Sequence, residues 1–132
     1  MKINVTVDVS REVLENIVIT ALEGGSNYWY YISEEAIKRI NSVAPRTNDN
    51  SSFSERLFRA VFDYDIIVPI HDIEDTDGEP VGELNVKTFE KHLEICASEA
   101  LWALQEEIDE RGDAGSSDVV FQYLALGDFI YG

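Results

Sequence analysis

The longest helical periodicity in this 132-residue chain runs from Thr88 to about Arg111, and no other feature constrains the fold as much. Phe89, Leu93, Ala97, Ala100, Leu101, Leu104 and Ile108 recur at helical spacings, which places them on one face. Arg111 and Gly112 form a favourable end, a cation against the helix dipole followed by a stop. The pattern predicts one long central helix.

The other segments are short. Ile3, Val5, Val7 and Val9 alternate with polar residues at the period of a half-buried strand. Ser10 then caps a helix with Leu14, Ile17, Val18, Ala21 and Leu22 inward, ending at Gly24 and Gly25. The aromatic run Tyr28 to Ile32 favours a strand or an extended packing segment. Ser33, with Glu34 and Glu35 in the first turn, starts a helix through about Asn41.

Residues 43 to 52 read as a loop, and Phe53 to Phe62 as a helix with Leu57, Phe58, Val61 and Phe62 inward. Ile66, Ile67, Val68 and Ile70 make a short strand; Val81 to Val86 returns across the Asp77-Gly78 turn. Pro69 argues for an edge strand or a bulge, because proline donates nothing to a ladder. After the loop DAGSS, Asp118 to Leu126 is ambiguous, with Ser117 as cap and Gly127 as stop favouring a helix. Phe129 to Tyr131 would close the chain as a last strand. The order β-α-β-α-α-ββ-α-α-β describes an α+β fold over residues 1–132: a single compact domain in which a small, mostly antiparallel sheet packs against one long and several short helices.

The chain carries 26 acidic against 10 basic side chains, a formal charge of −16. Neutralising phosphates needs Lys or Arg, so direct DNA or RNA binding is excluded, and anionic membrane surfaces repel the chain likewise. With 45% hydrophobic residues it is not of the disordered acidic class. The N-terminal alternation reads as a strand rather than a targeting segment, and no window approaches a membrane span. The single Cys96 fits a reducing cytoplasm, and its apolar neighbours Leu93, Ala97 and Ala100 favour a core thiol over a nucleophile.

No phosphate loop, nucleophile elbow, H-E-x-x-H or C-x-x-C motif occurs, so no catalytic centre, cofactor or metal is expected. The acidic stretch Asp72 to Glu79 superficially matches a calcium loop. Aligned on Gly78, however, Ile73 and Leu84 occupy the two anchoring ligand positions, which favours a solvated hairpin tip. His71 beside Asp72 reads as a surface residue more readily than as a general base. The string Glu23 to Trp29 has two readings: the rim of a ligand pocket carrying Glu23 and Asn27, or a Schellman-type helix end whose aromatic residues fill the core.

Charge placement is the strongest functional clue. Residues 1–66 hold 10 acidic and 7 basic side chains, net −3; residues 67–132 hold 16 and 3, net −13. The excess gathers at the hairpin tip (Asp72, Glu74, Asp75, Asp77, Glu79, Glu83) and near the end of the long helix (Glu106, Glu107, Asp109, Glu110, Asp113). Solubility explains the total. Folding does not favour the clustering, since like charges repel; mimicry of, or competition with, nucleic acid on a basic partner does account for it.

Two blocks, EGGSNYWY from Glu23 to Tyr30 and the ending DVVFQ (Asp118 to Gln122) with GDFIYG (Gly127 to Gly132), resemble a group of small accessory proteins encoded by bacteriophages and prophages. The acidic hairpin lies outside the match. The resemblance implies an accessory gene of a mobile element acting in the host cytoplasm, and by analogy an inhibitor of host defence such as an anti-CRISPR protein. The leading expectation is therefore a non-enzymatic inhibitor that binds a basic, nucleic-acid-handling host protein, a CRISPR effector or its RNA-bound complex among them. It would bind through Asp72, Glu74, Asp75, Asp77 and Glu79, then Glu106, Glu107, Asp109 and Glu110. The alternative is a small-molecule binder using Glu23, Asn27, Trp29, Gln122 and Tyr131.

Overall fold

Most helix starts lie where the sequence supplies a side-chain cap. The computed structural model describes residues 1–44, 51–75 and 77–132, so most of the loop expected over 43 to 52 lies outside the described residues. The Ser10 hydroxyl accepts from the Val13 amide and opens α1 (Arg11–Thr20). Ser33 does the same for α2 (Glu34–Val43) and Ser52 for α3 (Phe53–Tyr64). Each accepts one of the amides that the first helical turn leaves without a partner.

Instead of stopping, α1 widens into a π-helical turn, Ala21–Gly25, in which the Ser26 amide reaches back to the Ala21 carbonyl at 2.8 Å. Neither Gly24 nor Gly25 has a positive φ, so the expected Schellman ending is not formed. Gly25 is needed for close approach, because a Cβ there would sit 2.6 Å from the Ala114 carbonyl oxygen.

Three short strands form one antiparallel sheet in the order β1 (Tyr30–Tyr31), β2 (Val68–Asp72), β3 (Gly82–Leu84). The strand containing Pro69 is thus central, not an edge. It tolerates proline because β1 pairs only with His71 and Asp72, while Pro69 faces β3 alone, opposite Glu83. The first arm is displaced, since β2 begins at Val68 rather than Ile66 and runs on to Asp72, and the returning arm is cut to Gly82–Leu84. Val86 already belongs to α4 (Val86–Glu99), which Asn85 caps.

The expected single long helix is two. It breaks at Ala100 (φ −144°, ψ 49°) into α4 and α5 (Leu101–Ile108). The helix at the centre is instead α6 (Ala114–Leu126), in which Ser116 to Ala125 are all buried. Helix α6 packs against α1, the π turn, β3, α4 and α5. A straight helix from Thr88 to Arg111 would extend about 36 Å, against about 20 Å for α6, and would overrun it. The bend lets both halves lie on α6. The first turn of α6 occupies part of the expected DAGSS loop: Asp113, not Ser117, is its cap, in a reciprocal capping box with Ser116.

Two expected strands are absent. Residues 1–10 have no regular structure, although Val7 and Val9 pack against the core while Ile3 and Val5 are exposed. Their alternation reflects half-burial without ladder pairing. Residues 128–132 likewise form an irregular tail after Gly127, whose left-handed conformation (φ 72°) ends α6 as its sequence indicated. The α+β class is borne out by six α-helices around a small antiparallel sheet among the described residues. Among the described residues, no helix is long and apolar enough to cross a membrane.

Candidate functional site

The π turn and the C-terminal tail meet at a polar network on α6. Asp118, only 6% exposed, accepts hydrogen bonds from the Ser26 hydroxyl (2.7 Å), the Trp29 indole Nε1 (2.9 Å), the Tyr28 hydroxyl (2.5 Å) and Gln122 Nε2 (3.2 Å). One helical turn later, the fully buried Gln122 satisfies the tail: its Oε1 accepts from the amides of Ile130 and Tyr131, both at 2.9 Å. Its Nε2 also donates to the Tyr131 carbonyl at 2.9 Å. The i, i+4 spacing puts both polar side chains on one side of α6. Buried polar groups require such satisfaction, and these have it.

The tail in turn covers an aromatic stack. Tyr131 lies on Trp29 with ring centroids 4.7 Å apart and planes 9° from parallel. Its hydroxyl donates to Asp72 Oδ2 at 2.9 Å, which ties the tail to the end of β2. Above this stack opens a cleft of about 560 Å³ whose walls include Tyr28, Trp29, Asp72, Ile73, Glu74 and Tyr131. A groove of about 580 Å³ lies between the N-terminal segment, α3 and α4, and is mostly apolar.

Of the residues expected to make a ligand pocket, Trp29, Gln122 and Tyr131 are brought together. Gln122 has its whole amide engaged, and Glu23 and Asn27 are exposed outside the cleft. Sequence reasoning missed Asp118 and Tyr28 as site residues. The available signal was a carboxylate and an amide four positions apart within the apolar run of α6.

The acidic residues divide by role. Glu74, Asp75, Asp77 and Glu79 are exposed, and none takes part in an ion pair among the described residues. Asp72 is half-buried and engaged, since besides Tyr131 it accepts from the Glu74 amide. In the second group, Glu107 and Asp109 are engaged within the fold. Glu107 Oε1 accepts from the hydroxyls of Ser116 (2.8 Å) and Ser117 (2.6 Å), pinning α5 to the start of α6. Asp109 accepts from Gln105 and Arg111, and these bonds hold its carboxyl below the usual carboxylate range. Glu106 is half-buried.

Glu110 takes the left-handed conformation (φ 59°) in a Schellman motif at the end of α5, a place where Gly112 was the expected stop. There the Glu110 amide reaches the Glu107 carbonyl and the Arg111 amide the Glu106 carbonyl. A side chain is strained in that conformation by about 1 kcal/mol. Glu110→Gly should therefore raise stability by about 0.5–1 kcal/mol, read as a higher urea midpoint; an unchanged or lower midpoint would contradict the strain.

His71 and Asp72 do not form a catalytic pair. Adjacent strand residues face opposite sides, Asp72 is held by Tyr131, and His71 packs its ring edge-on to Tyr31. Among the described residues, no group of three His, Cys, Asp or Glu side chains is placed to hold a metal. Cys96 is fully buried, as expected of a core thiol.

Burial, with Glu99 adding, pushes the Cys96 thiol from an ordinary 9.0 up to about 12. Burial and the bond to Asp118 push the Tyr28 hydroxyl up to about 12, and burial with the bond to Glu99 does the same for Tyr123. Because the folded values are raised, the protonated forms favour the fold below pH 9, and that contribution is lost as pH rises from 9 to 12. Urea midpoints should thus fall steeply across that interval, and Cys96→Ala should delay the onset to about pH 10, where the tyrosines begin to titrate in the unfolded chain. A flat profile to pH 11 would contradict these assignments.

Fold and site together define a small α+β domain with a tethered tail, an aromatic cleft and an unpaired acidic hairpin tip. No known protein family, curated protein or solved structure matches the chain.

Proposed function

We propose that this protein is a non-enzymatic binding protein that sets the acidic surface of its C-terminal half on a basic, nucleic-acid-handling protein and so blocks it. The observation that carries this reading is the hairpin tip, where Glu74, Asp75, Asp77 and Glu79 stand exposed and, among the described residues, without ion pairs. Unpaired like charges held together on a folded loop repel one another, and a basic groove relieves that repulsion. By analogy with the phage accessory proteins that the chain's two ends resemble, the partner we propose is a bacterial defence effector in the host cytoplasm, with a CRISPR effector that holds RNA in a basic channel as the leading case.

The test is capture of bacterial lysate proteins by the wild type and by a variant carrying Asp75→Lys, Asp77→Lys and Glu79→Lys. The wild type should capture basic nucleic-acid-binding proteins, releasing them as salt rises past 0.1 M, where screening acts within about 10 Å. The variant should lose at least about tenfold in capture at an unchanged urea midpoint. Capture that survives the reversal, or that ignores salt, overturns the proposal. Glu107 is excluded from this variant, because its reversal would break the bonds to Ser116 and Ser117.

The cleft beside Tyr28 favours a second reading, sequestration of a small ligand against aromatic walls. That reading predicts salt-insensitive binding that the hairpin reversals leave intact.

A further inference from the structure

The cleft of about 560 Å³ sits at the root of the acidic hairpin and combines three chemical features. Its accessible wall is aromatic, with the Tyr28 ring 53% exposed and Tyr131 half-buried over Trp29. Two carboxylates, Asp72 and Glu74, line the same opening, and among the described residues no cationic side chain does. Ile73, 43% exposed between them, adds an apolar surface.

The walls are also held in place before anything binds. Tyr28 is anchored through its hydroxyl to Asp118, Tyr131 through its hydroxyl to Asp72, and the Ile73 amide donates to the Trp29 carbonyl at 2.8 Å. Preorganised walls reduce the ordering cost of association. Among the described residues, the carboxylate of Glu74 takes part in no ion pair. An aromatic face next to carboxylates, in a concave site, matches a planar cation. Guanidinium stacks on aromatic faces and forks onto carboxylates, whereas a lysine ammonium offers neither planarity nor a fork.

We infer that this cleft receives an arginine side chain projecting from the basic partner protein, its guanidinium stacked against Tyr28 and paired with Asp72 and Glu74. The inference rests on the binding function proposed above and makes the cleft the specific anchor within a more diffuse acidic surface. Desolvated arginines at the centre of an interface carry much of the binding energy, while rim charges mainly steer the encounter.

The experiment titrates the intact protein with the peptide acetyl-Gly-Arg-Gly-amide and reads the ¹H–¹⁵N spectrum. The indole of Trp29 and the amides of Ile73 and Glu74 should shift, and the indole of Trp102, exposed on α5, should stay in place. The same peptide with citrulline, equal in shape but uncharged, should bind at least about tenfold more weakly. Glu74→Gln should weaken the arginine peptide by about the same factor, while Glu35→Gln on α2, equal in net charge, should not.

Equal shifts with citrulline, or no movement of the cleft signals at millimolar peptide, overturn the inference. If the cleft signals stay still while Asp75→Lys, Asp77→Lys and Glu79→Lys together abolish capture, the cleft is refuted and the acidic-surface function stands. If the cleft signals move as described but those reversals leave capture intact, the anchor is supported and the wider surface is refuted.

Discussion

Trp29→Ala should lower the free energy of unfolding by about 4 kcal/mol, the scale for truncating a buried tryptophan. Trp29 is 1% exposed and stacks on Tyr131, with Phe121 at 5.9 Å and Tyr30 at 6.2 Å. The substitution removes these ring contacts and one of the donors to the buried Asp118. In a domain whose whole stability is of order 5–15 kcal/mol, that loss leaves a measurable unfolded fraction at modest urea. Trp29→Phe separates the two causes, since it keeps most of the packing and loses the indole donor; it should cost about 1–2 kcal/mol. A double cycle with Tyr131→Ala should show coupling, because the two rings form one contact. A loss below about 1.5 kcal/mol for Trp29→Ala would mean that the stack is not a structural centre.

Gln122→Leu should cost about 3 kcal/mol although leucine is similar in volume. The change leaves the amides of Ile130 and Tyr131 without their acceptor and takes a donor from Asp118. Each buried group deprived of its partner costs about 1–3 kcal/mol, and the tail can escape part of this by detaching into water. Detachment is the diagnostic outcome. Hydrogen exchange at Ile130 and Tyr131 should rise to the rate of unprotected amides, whereas core amides of α6 stay slow at low denaturant. Tyr131 would leave Trp29 with the tail, so tryptophan fluorescence should change in parallel. Protected amides at Ile130 and Tyr131 in the variant would show that the side chain of Gln122 does not hold the tail.

The parts of the fold legible in the sequence were those with a local cause. Ser10 and Ser33 announced helix starts, Gly127 announced a helix end, and the class followed from the alternation of short helical and strand patterns. Helix α6 was legible only in part: Gly127 favoured a helix over Asp118 to Leu126, but ten consecutive buried residues leave no periodicity to read, and its cap lay inside an apparent loop. The break at Ala100 was invisible because alanine is the best helix former, and the bend answers to packing on α6 rather than to propensity. Pro69 misled because its effect depends on which half of β2 has a neighbour, a property of the sheet and not of the residue.

The candidate site divides similarly. That the negative charge concentrates in the second half could be counted directly. Which carboxylates are free could not: Glu107 and Asp109 hold helix ends and Asp72 holds the tail, leaving the hairpin tip exposed. Such roles depend on partners supplied by other elements.

Composition, capping residues and patterning determined an acidic α+β domain, its helix starts and its lopsided charge, because these act through the residue itself or neighbours within a few positions. Only tertiary structure decided that α6 is the centre, that the N-terminal pattern forms no strand, and that a cleft opens above Trp29. The network behind that cleft joins Ser26 to Asp118 across 92 positions of sequence. A hydrogen bond at that separation has no local signature, since it exists only once the intervening helices have packed and brought its two ends within reach.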